Sequence, residues 1–334
     1  MTDSAPASVE VRGLEKRYGE TVALGGVSFD VAPGELFGLI GPDGAGKSTL
    51  LRILVTVILP DAGGATLDGL DVVADYREIR RRVGYMPGRF SLYPDLTVRE
   101  NLEFFASVFG TTVEAEIGLI APIYSQIQPF DDRRAGDLSG GMKQKLALCC
   151  ALVHRPRVLL LDEPTTGVDA VSRVEFWDML DAMTAQGITT IVSTPYMDEA
   201  ARCGRIALVQ TGQLLGPPDT PAAVAASFGA PLARARADGD RAAFLAALRA
   251  SDGVASAAVF GEWVHVTGTA DRSAAPLSAD LVRSLAEAGW VGVAAEPATA
   301  TVEDVFMARM GEGGERGTGN GERAEKDAVS APGR

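Results

Sequence analysis

Nine residues, Gly41 to Thr49, read GPDGAGKST, and they lie between an apolar run, ELFGLI, and a segment of helical pattern that starts at Ser48. Strand, glycine-rich turn, lysine, hydroxyl and helix form the arrangement that cradles phosphates. Gly41, Gly44 and Gly46 permit tight backbone curvature. The N–H groups freed by that curvature face an anion, and the helix N-terminus adds a favourable dipole. The whole loop, Gly41, Pro42, Asp43, Gly44, Ala45, Gly46, Lys47, Ser48 and Thr49, is therefore expected to bind a nucleotide. Lys47 is expected to reach the β- and γ-phosphates, and Ser48 to offer its hydroxyl to Mg2+. A second acidic element lies far along the chain, in LLLDEP from Leu159 to Pro164. Asp162, at the end of a buried strand, suits Mg2+ held through water, and Glu163 suits the general base that polarises an attacking water. Taken singly, the first element could be a glycine turn and the second a strand cap. Their coexistence, with strand and helix in place, favours ATP chemistry.

A third segment narrows the class. LSGGMKQ, Leu138 to Gln144, precedes LLLDEP by about 20 residues. Ser139, Gly140 and Gly141 stand at a helix start, where a hydroxyl and bare N–H groups suit an anion. With these segments in place, the chain resembles the ATPase subunit of an ATP-binding cassette (ABC) transporter over about residues 9–215. The resemblance implies that Ser139, Gly140 and Gly141 contact the ATP held by the opposite subunit, so that two cassettes sandwich the nucleotide. It implies that Asp169, in TTGVDA, is the acid that crosses this interface, and that Tyr18, in KRYG, stacks on adenine. GPDGAGKST, RFSLYPDLTVRENL, LSGGMKQKLAL, YMDEA and a late TVEDVF are most similar to the cytosolic ATPase subunits of ABC-2-type exporters, the drug-efflux group.

Two positions depart from that pattern. Where the family has a glutamine after the GYMP strand, this chain has Gly88, which has no side chain to contact metal or water. Where the family has a histidine after the IVST strand, it has Pro195, which lacks even a backbone N–H. Arg89 stands beside Gly88 and could supply charge. Of the two histidines, His154 and His265, the first reads as structural. Two outcomes stay open: a hydrolytically weak site that binds ATP chiefly to hold a dimer, or useful turnover sustained by Glu163. Some ABC exporters pair a degenerate cassette with a complete one, so the second ATPase subunit is either a copy of this chain or a more complete paralogue.

The elements that must position these residues read as α/β. Strand patterns at VEVRGL, VSFDV, ELFGLI, VGYMP, VLLLDEP, ITTIVST and RIALVQTGQLL alternate with helical ones, as a mainly parallel sheet requires. From Thr97 to about Gln128, within an expected helical subdomain at about 88–150, the pattern is mostly helical, with Pro122 expected to interrupt it. Gly216-Pro217-Pro218 marks a boundary. Beyond it, strands at Ala233–Ala237, Val254–Phe260, Trp263–Thr267 and Trp290–Ala295, with helices at Arg241–Ala250 and Leu277–Ala288, suggest a small ferredoxin-like α+β domain. The expected layout is a disordered 1–8, an ABC nucleotide-binding domain at 9–215 with its helical subdomain, a C-terminal domain at 216–310, and a disordered tail at 311–334.

Bulk composition limits the partners. Forty-four acids against 31 bases give −13, which disfavours nucleic acid. Cys149, Cys150 and Cys203 form no disulfide framework and read as reduced core residues. The opening MTDSAPAS has neither a basic nor an apolar signal region, and no run reaches the ~18–20 apolar residues of a membrane helix. The expectation is a cytoplasmic ATPase held at the inner face of the membrane by a separate permease, with ATP and Mg2+ as cofactors. A soluble ABC protein working on ribosomes or DNA would carry two cassettes or a long insertion, yet fewer than about 100 residues separate the loop from LSGG. A regulatory subunit with negligible turnover is kept open by Gly88 and Pro195.

Overall fold

Alternating apolar residues at Val9, Val11 and Leu14 turn one face of the first strand inward, and the strand folds back at Gly19 (φ 60°). The computed structural model describes residues 8–314. Strands β1 (Val9–Tyr18) and β2 (Thr21–Val31) are followed by β3 (Leu36–Ile40), α1 (Lys47–Leu54), β4 (Ala62–Leu67), β5 (Leu70–Asp71), α2 (Tyr76–Arg82) and β6 (Val83–Met86). Three helices come next, α3 (Val98–Val108), α4 (Val113–Tyr124) and α5 (Gly140–Leu152), then β7 (Val158–Asp162), α6 (Ala170–Ala185), β8 (Thr189–Thr194), β9 (Arg205–Gln210) and β10 (Gln213–Leu214). The chain divides between Pro221 and Ala222 into two compact units.

In the first unit, β2-β1-β4-β5 form an antiparallel sheet and β10-β9-β3-β8-β7-β6 a second one. From β9 to β6 the second sheet is parallel. All five residues of β3 and of β7 are buried, which is why both read as unbroken apolar runs. Val158, Leu159, Leu160 and Leu161 are at most 1% exposed, and such burial is worth about 1.5–3 kcal/mol per large side chain. Parallel pairing has a functional consequence. The loops after β3, β8, β7 and β6 leave the same sheet edge, where open α/β sheets bind ligands. Register sets Asp162 opposite Ser193 and Ile40 opposite Thr194.

Local differences from the sequence reading have identifiable causes. The first helix starts at Lys47, one residue before the Ser48 read from the sequence, and ends at Leu54. Thr56 takes a left-handed φ of 63°, and the Arg80 guanidinium holds its carbonyl and hydroxyl at 2.7 and 2.8 Å. Pro122 sits in the last turn of α4 without breaking it. Thr97 and Glu100 close a reciprocal capping box that starts α3. Ser8, assigned to a disordered 1–8, is buried: its N–H donates to Val31 O at 2.8 Å, and Thr189 Oγ1 donates to its hydroxyl at 3.0 Å. The rest of that expectation, and the tail from 315, lie outside the described residues.

After α7 (Pro221–Ala226), the second unit contains β11 (Leu232–Arg236), α8 (Arg241–Ala250), β12 (Val254–Phe260), β13 (Trp263–Gly268), α9 (Ala274–Glu287), β14 (Ala294–Pro297) and α10 (Val302–Gly314). Its sheet, ordered β12-β13-β11-β14, is antiparallel throughout. Ala233, Ala235, Val264 and Val266 form its core with Phe244, Leu248, Leu277, Leu281 and Leu285. The last strand starts at Ala294 and not at Trp290. The Trp290 N–H closes the end of α9 on Leu285 O at 3.0 Å, and its ring packs edge-on against Phe244 at 5.2 Å. The His265 ring and the Asp304 carboxylate are 2.7 Å apart, tying α10 to β13.

The division at Pro221 moves the useful cut site. Asp219 and Ile206 exchange backbone hydrogen bonds of 2.8 and 3.2 Å, so cutting at Gly216 would strip a partner from β9. Truncation after Pro221 is expected to leave ATP affinity within about threefold of wild type, because less than about 1 kcal/mol should change at the loop. Calorimetry on the folded truncation checks this, and lost binding would show that the second unit contributes to the site.

Candidate nucleotide site

The glycine-rich loop is shaped by contacts that only glycine tolerates. A Cβ on Gly41 would lie 2.1 Å from Val209 O, and one on Gly46 (φ 103°) 2.3 Å from Ala23 O. At Gly44 there is space, but a φ of 78° favours glycine. Within the loop, Ala45 N–H donates to Pro42 O and Gly41 N–H to Thr194 O, both at 3.2 Å. The N–H groups of Asp43, Gly44, Gly46, Lys47, Ser48 and Thr49 donate to no acceptor among the described residues. A run of free donors at a helix start is an anion cradle.

Lys47 is 3% exposed, and its Nζ donates to Gly41 O at 2.7 Å and Pro42 O at 2.9 Å. Glu163 Oε1 lies 3.2 Å from the same nitrogen. Two segments 116 residues apart, by 163 minus 47, therefore meet in one ion pair. Ser48 Oγ donates to Asp162 Oδ1 at 2.9 Å. A hydroxyl and a carboxylate so placed are the hard oxygen donors that Mg2+ takes, and Asp162 Oδ2 has no hydrogen bond among the described residues. Glu163 itself takes a φ of 50°, a left-handed conformation that costs about 1–3 kcal/mol and concentrates at functional sites.

The two departing positions fall at this same edge. A Cβ on Gly88 would lie 3.1 Å from Asp162 O and 3.7 Å from Asp162 Oδ2, so any side chain there would start against the carboxylate. Pro195 follows Thr194 directly, at the end of β8. Arg89 forms no ion pair with Asp162 or Glu163; it lines an apolar cavity of about 270 Å³ with Phe90, Phe105, Phe109 and His154. His154 stacks on Phe109 with 3.7 Å between ring centres, bonds Val83 O at 3.1 Å, and has its pKa lowered chiefly by burial. It is a packing residue. The three cysteines are buried and free; burial pushes the Cys203 thiol up to about 12, so it is a poor nucleophile.

The remaining sequence-selected residues lie apart from this cluster. Ser139 caps α5, accepting from Met142 N–H at 3.4 Å, while Gly140 and Gly141 leave their N–H groups free. A Cβ on Gly141 would come within 2.8 Å of Ser172 Oγ, and one on Gly140 within 3.2 Å of Gly167 O. The start of α5 thus abuts the start of α6 and makes no hydrogen bond to the phosphate loop. Asp169 caps α6, accepting from Val171 and Ser172 N–H at 3.1 and 3.0 Å and from the Ser172 hydroxyl at 2.8 Å. The Ser172 backbone bond leads the causes that hold its pKa low. Tyr18 ends β1, about half exposed, with Lys16 Nζ 5.9 Å from its ring centre. Sequence reasoning passed over Ser193, whose hydroxyl bonds both acids, and Arg173, which stacks on Tyr196 and pairs with Asp198 and Glu199. A hydroxyl two places before Pro195 was the available signal.

The profile of the ABC transporter family matches residues 24–166. The chain is 43% identical over 210 residues to the Nod factor export ATP-binding protein I of Burkholderia orbicola, covering 62% of this chain and 69% of that protein. It is 44% identical over 213 residues to the probable multidrug ABC transporter ATP-binding protein YbhF of Escherichia coli, covering 63% of this chain but only 37% of that protein. Among solved structures, it is similar to an ATP-binding cassette determined as a dimer in a post-hydrolysis state with ADP and Pi. The TM-score is 0.58 and the identity 25%, over 64% of this chain and 98% of that one. The chain belongs to the ATP-binding proteins of ABC transporters. It is an ATP-binding, P-loop ATPase of the mixed α/β cassette fold.

Proposed function

We propose that this ATPase dimerises around ATP and drives a separate membrane permease, an exporter of the ABC-2 type. The observation that carries the reading is a separation. Lys47, Ser48, Asp162 and Glu163 converge at one sheet edge, whereas the free N–H groups of Gly140 and Gly141 serve no phosphate loop in their own chain. A second cassette gives both halves a use. The relatives named for Nod factor export and multidrug transport support the exporter assignment.

Roles follow from position. The free N–H groups of Asp43, Gly44 and Gly46 to Thr49, with Lys47, bind the phosphates, and Tyr18 stacks on adenine by its π-face. Ser48 and Asp162 hold Mg2+, which when bound neutralises charge on the phosphate oxygens. Glu163 accepts the proton of the attacking water, Ser139–Gly141 bind the γ-phosphate of the partner's ATP, and Asp169 stands at the shared interface. Gly88 and Pro195 leave the water and the γ-phosphate without two of their usual contacts, so turnover is slow. The cavity beside Gly88 suits an apolar permease segment, and the assembly is peripheral at the inner membrane face. No helix among the described residues is long and apolar enough to cross a membrane. The second unit, with its interleaved βαβ halves, is of ferredoxin-like type.

Sedimentation of Glu163→Gln tests the dimer. With Mg2+ and ATP, but not ADP, the mass is expected to double. A variant that binds ATP and stays monomeric would overturn the homodimer and leave pairing with a more complete cassette.

A further inference from the structure

Ser193, the penultimate residue of strand β8, is fully buried just before the sheet edge. Its hydroxyl donates to Asp162 Oδ1 at 2.7 Å and accepts the Glu163 N–H at 3.0 Å. Ser193 O accepts that same N–H at 3.0 Å. Among the described residues, Ser48 and Ser193 are the two side chains that hydrogen-bond Asp162, and both take Oδ1. That leaves Oδ2 without a hydrogen bond among the described residues. The Glu163 N–H, on a residue held at φ 50°, finds its partners on Ser193 alone.

We propose that Ser193 is a positioning residue for ATP hydrolysis: one buried hydroxyl fixes the carboxylate of the Mg2+-binding Asp162 and the left-handed backbone of the base Glu163. The inference rests on the roles just assigned to those two acids. A hydroxyl has one proton to give and lone pairs to receive, so it serves an acceptor and a donor together. Alanine can do neither, and threonine can do both in a strand. The contribution matters more in this chain than in one with side chains at 88 and 195. Neither Gly88 nor Pro195 has a polar side-chain atom with which to orient the acids. Partners behind metal-binding groups typically change metal affinity or activity by about 10–100-fold.

The test uses the full chain with Ser193→Ala and Ser193→Thr, and Mn2+ as the probe. Free Mn2+ is measured by electron paramagnetic resonance in the presence of saturating ADP. Ser193→Ala is expected to weaken Mn2+ binding and lower kcat by about 10–100-fold, with KM for ATP nearly unchanged. Ser193→Thr is expected to restore both. ATP affinity in EDTA is expected to match wild type, because Lys47 and the loop N–H groups are untouched. An equal loss of ATP affinity with and without the cation would indicate general damage and overturn the proposal. So would wild-type Mn2+ affinity and kcat in Ser193→Ala beside an inactive Glu163→Gln, and that result would leave the base assignment standing. An active Glu163→Gln would instead overturn the base assignment beneath it. Should the alanine variant fail to fold, Ser193→Cys, whose S–H is a weak donor, is expected to show the same loss, and wild-type Mn2+ affinity there would overturn the proposal.

Discussion

Lys47→Ala is expected to abolish detectable ATP binding. The ammonium is almost wholly buried and held by Gly41 O, Pro42 O and Glu163, so its position is set before any ligand arrives. Charge-assisted bonds to two phosphate groups are worth roughly 1.5–3 kcal/mol each. Losing both weakens binding by about 10²–10⁴-fold. The truncation also leaves the two loop carbonyls and Glu163 facing each other without the cation between them, so the empty loop is expected to lose order as well. Calorimetric titration with ATP and Mg2+ decides the matter, with circular dichroism to show that the variant is folded. Unchanged affinity in a folded variant would defeat the assignment of the 41–49 loop.

The loop was legible because its determinants are local. Three glycines, one lysine and one hydroxyl at fixed spacing define a backbone path, and the contacts that forbid a Cβ at Gly41 and Gly46 are consequences of that path. The β7 run was legible for a related reason, since burial on both faces leaves no polar position within it. Ser193 was not legible, because its partners are set by strand register across 31 residues, and register is invisible in one chain. The Lys47–Glu163 pair was hidden for the same reason. Asp169 read as an interface acid by resemblance, and the fold adds a capping role that the DAVS spacing alone could have suggested. In the second unit, alanine-rich segments carry weak periodicity. There the edge-on packing of Trp290 on Phe244, a tertiary contact, decided where β14 begins.

The second large effect concerns catalysis. The wild-type chain, purified alone, is expected to hydrolyse ATP slowly, and Gly88→Gln with Pro195→His to raise kcat. Loss of a single preorganised contact costs ~10²–10³ in rate in other enzymes, so restoring two places the gain at about 10² or more. The geometry says which half is harder. A Cβ at 88 lies 3.7 Å from Asp162 Oδ2, the side from which a water-aligning side chain is expected to reach, but it sits 3.1 Å from Asp162 O. That strand end must therefore yield by a few tenths of an ångström. Gly88 carries no positive φ, so an L-residue is otherwise tolerated there. Replacing Pro195 restores a backbone N–H and frees φ, while Thr194 O keeps its bond from Gly41 N–H. Glu163→Gln in either background is expected to remove turnover while sparing ATP binding, because Lys47 and the loop keep their own contacts. The ordering that follows is strict: double restoration above wild type, wild type above Glu163→Gln. Steady-state phosphate release measures all three. Fast wild-type turnover that survives Glu163→Gln would sink the account, since some other group would then be taking the proton from water at an edge where Glu163 is the carboxylate paired with Lys47.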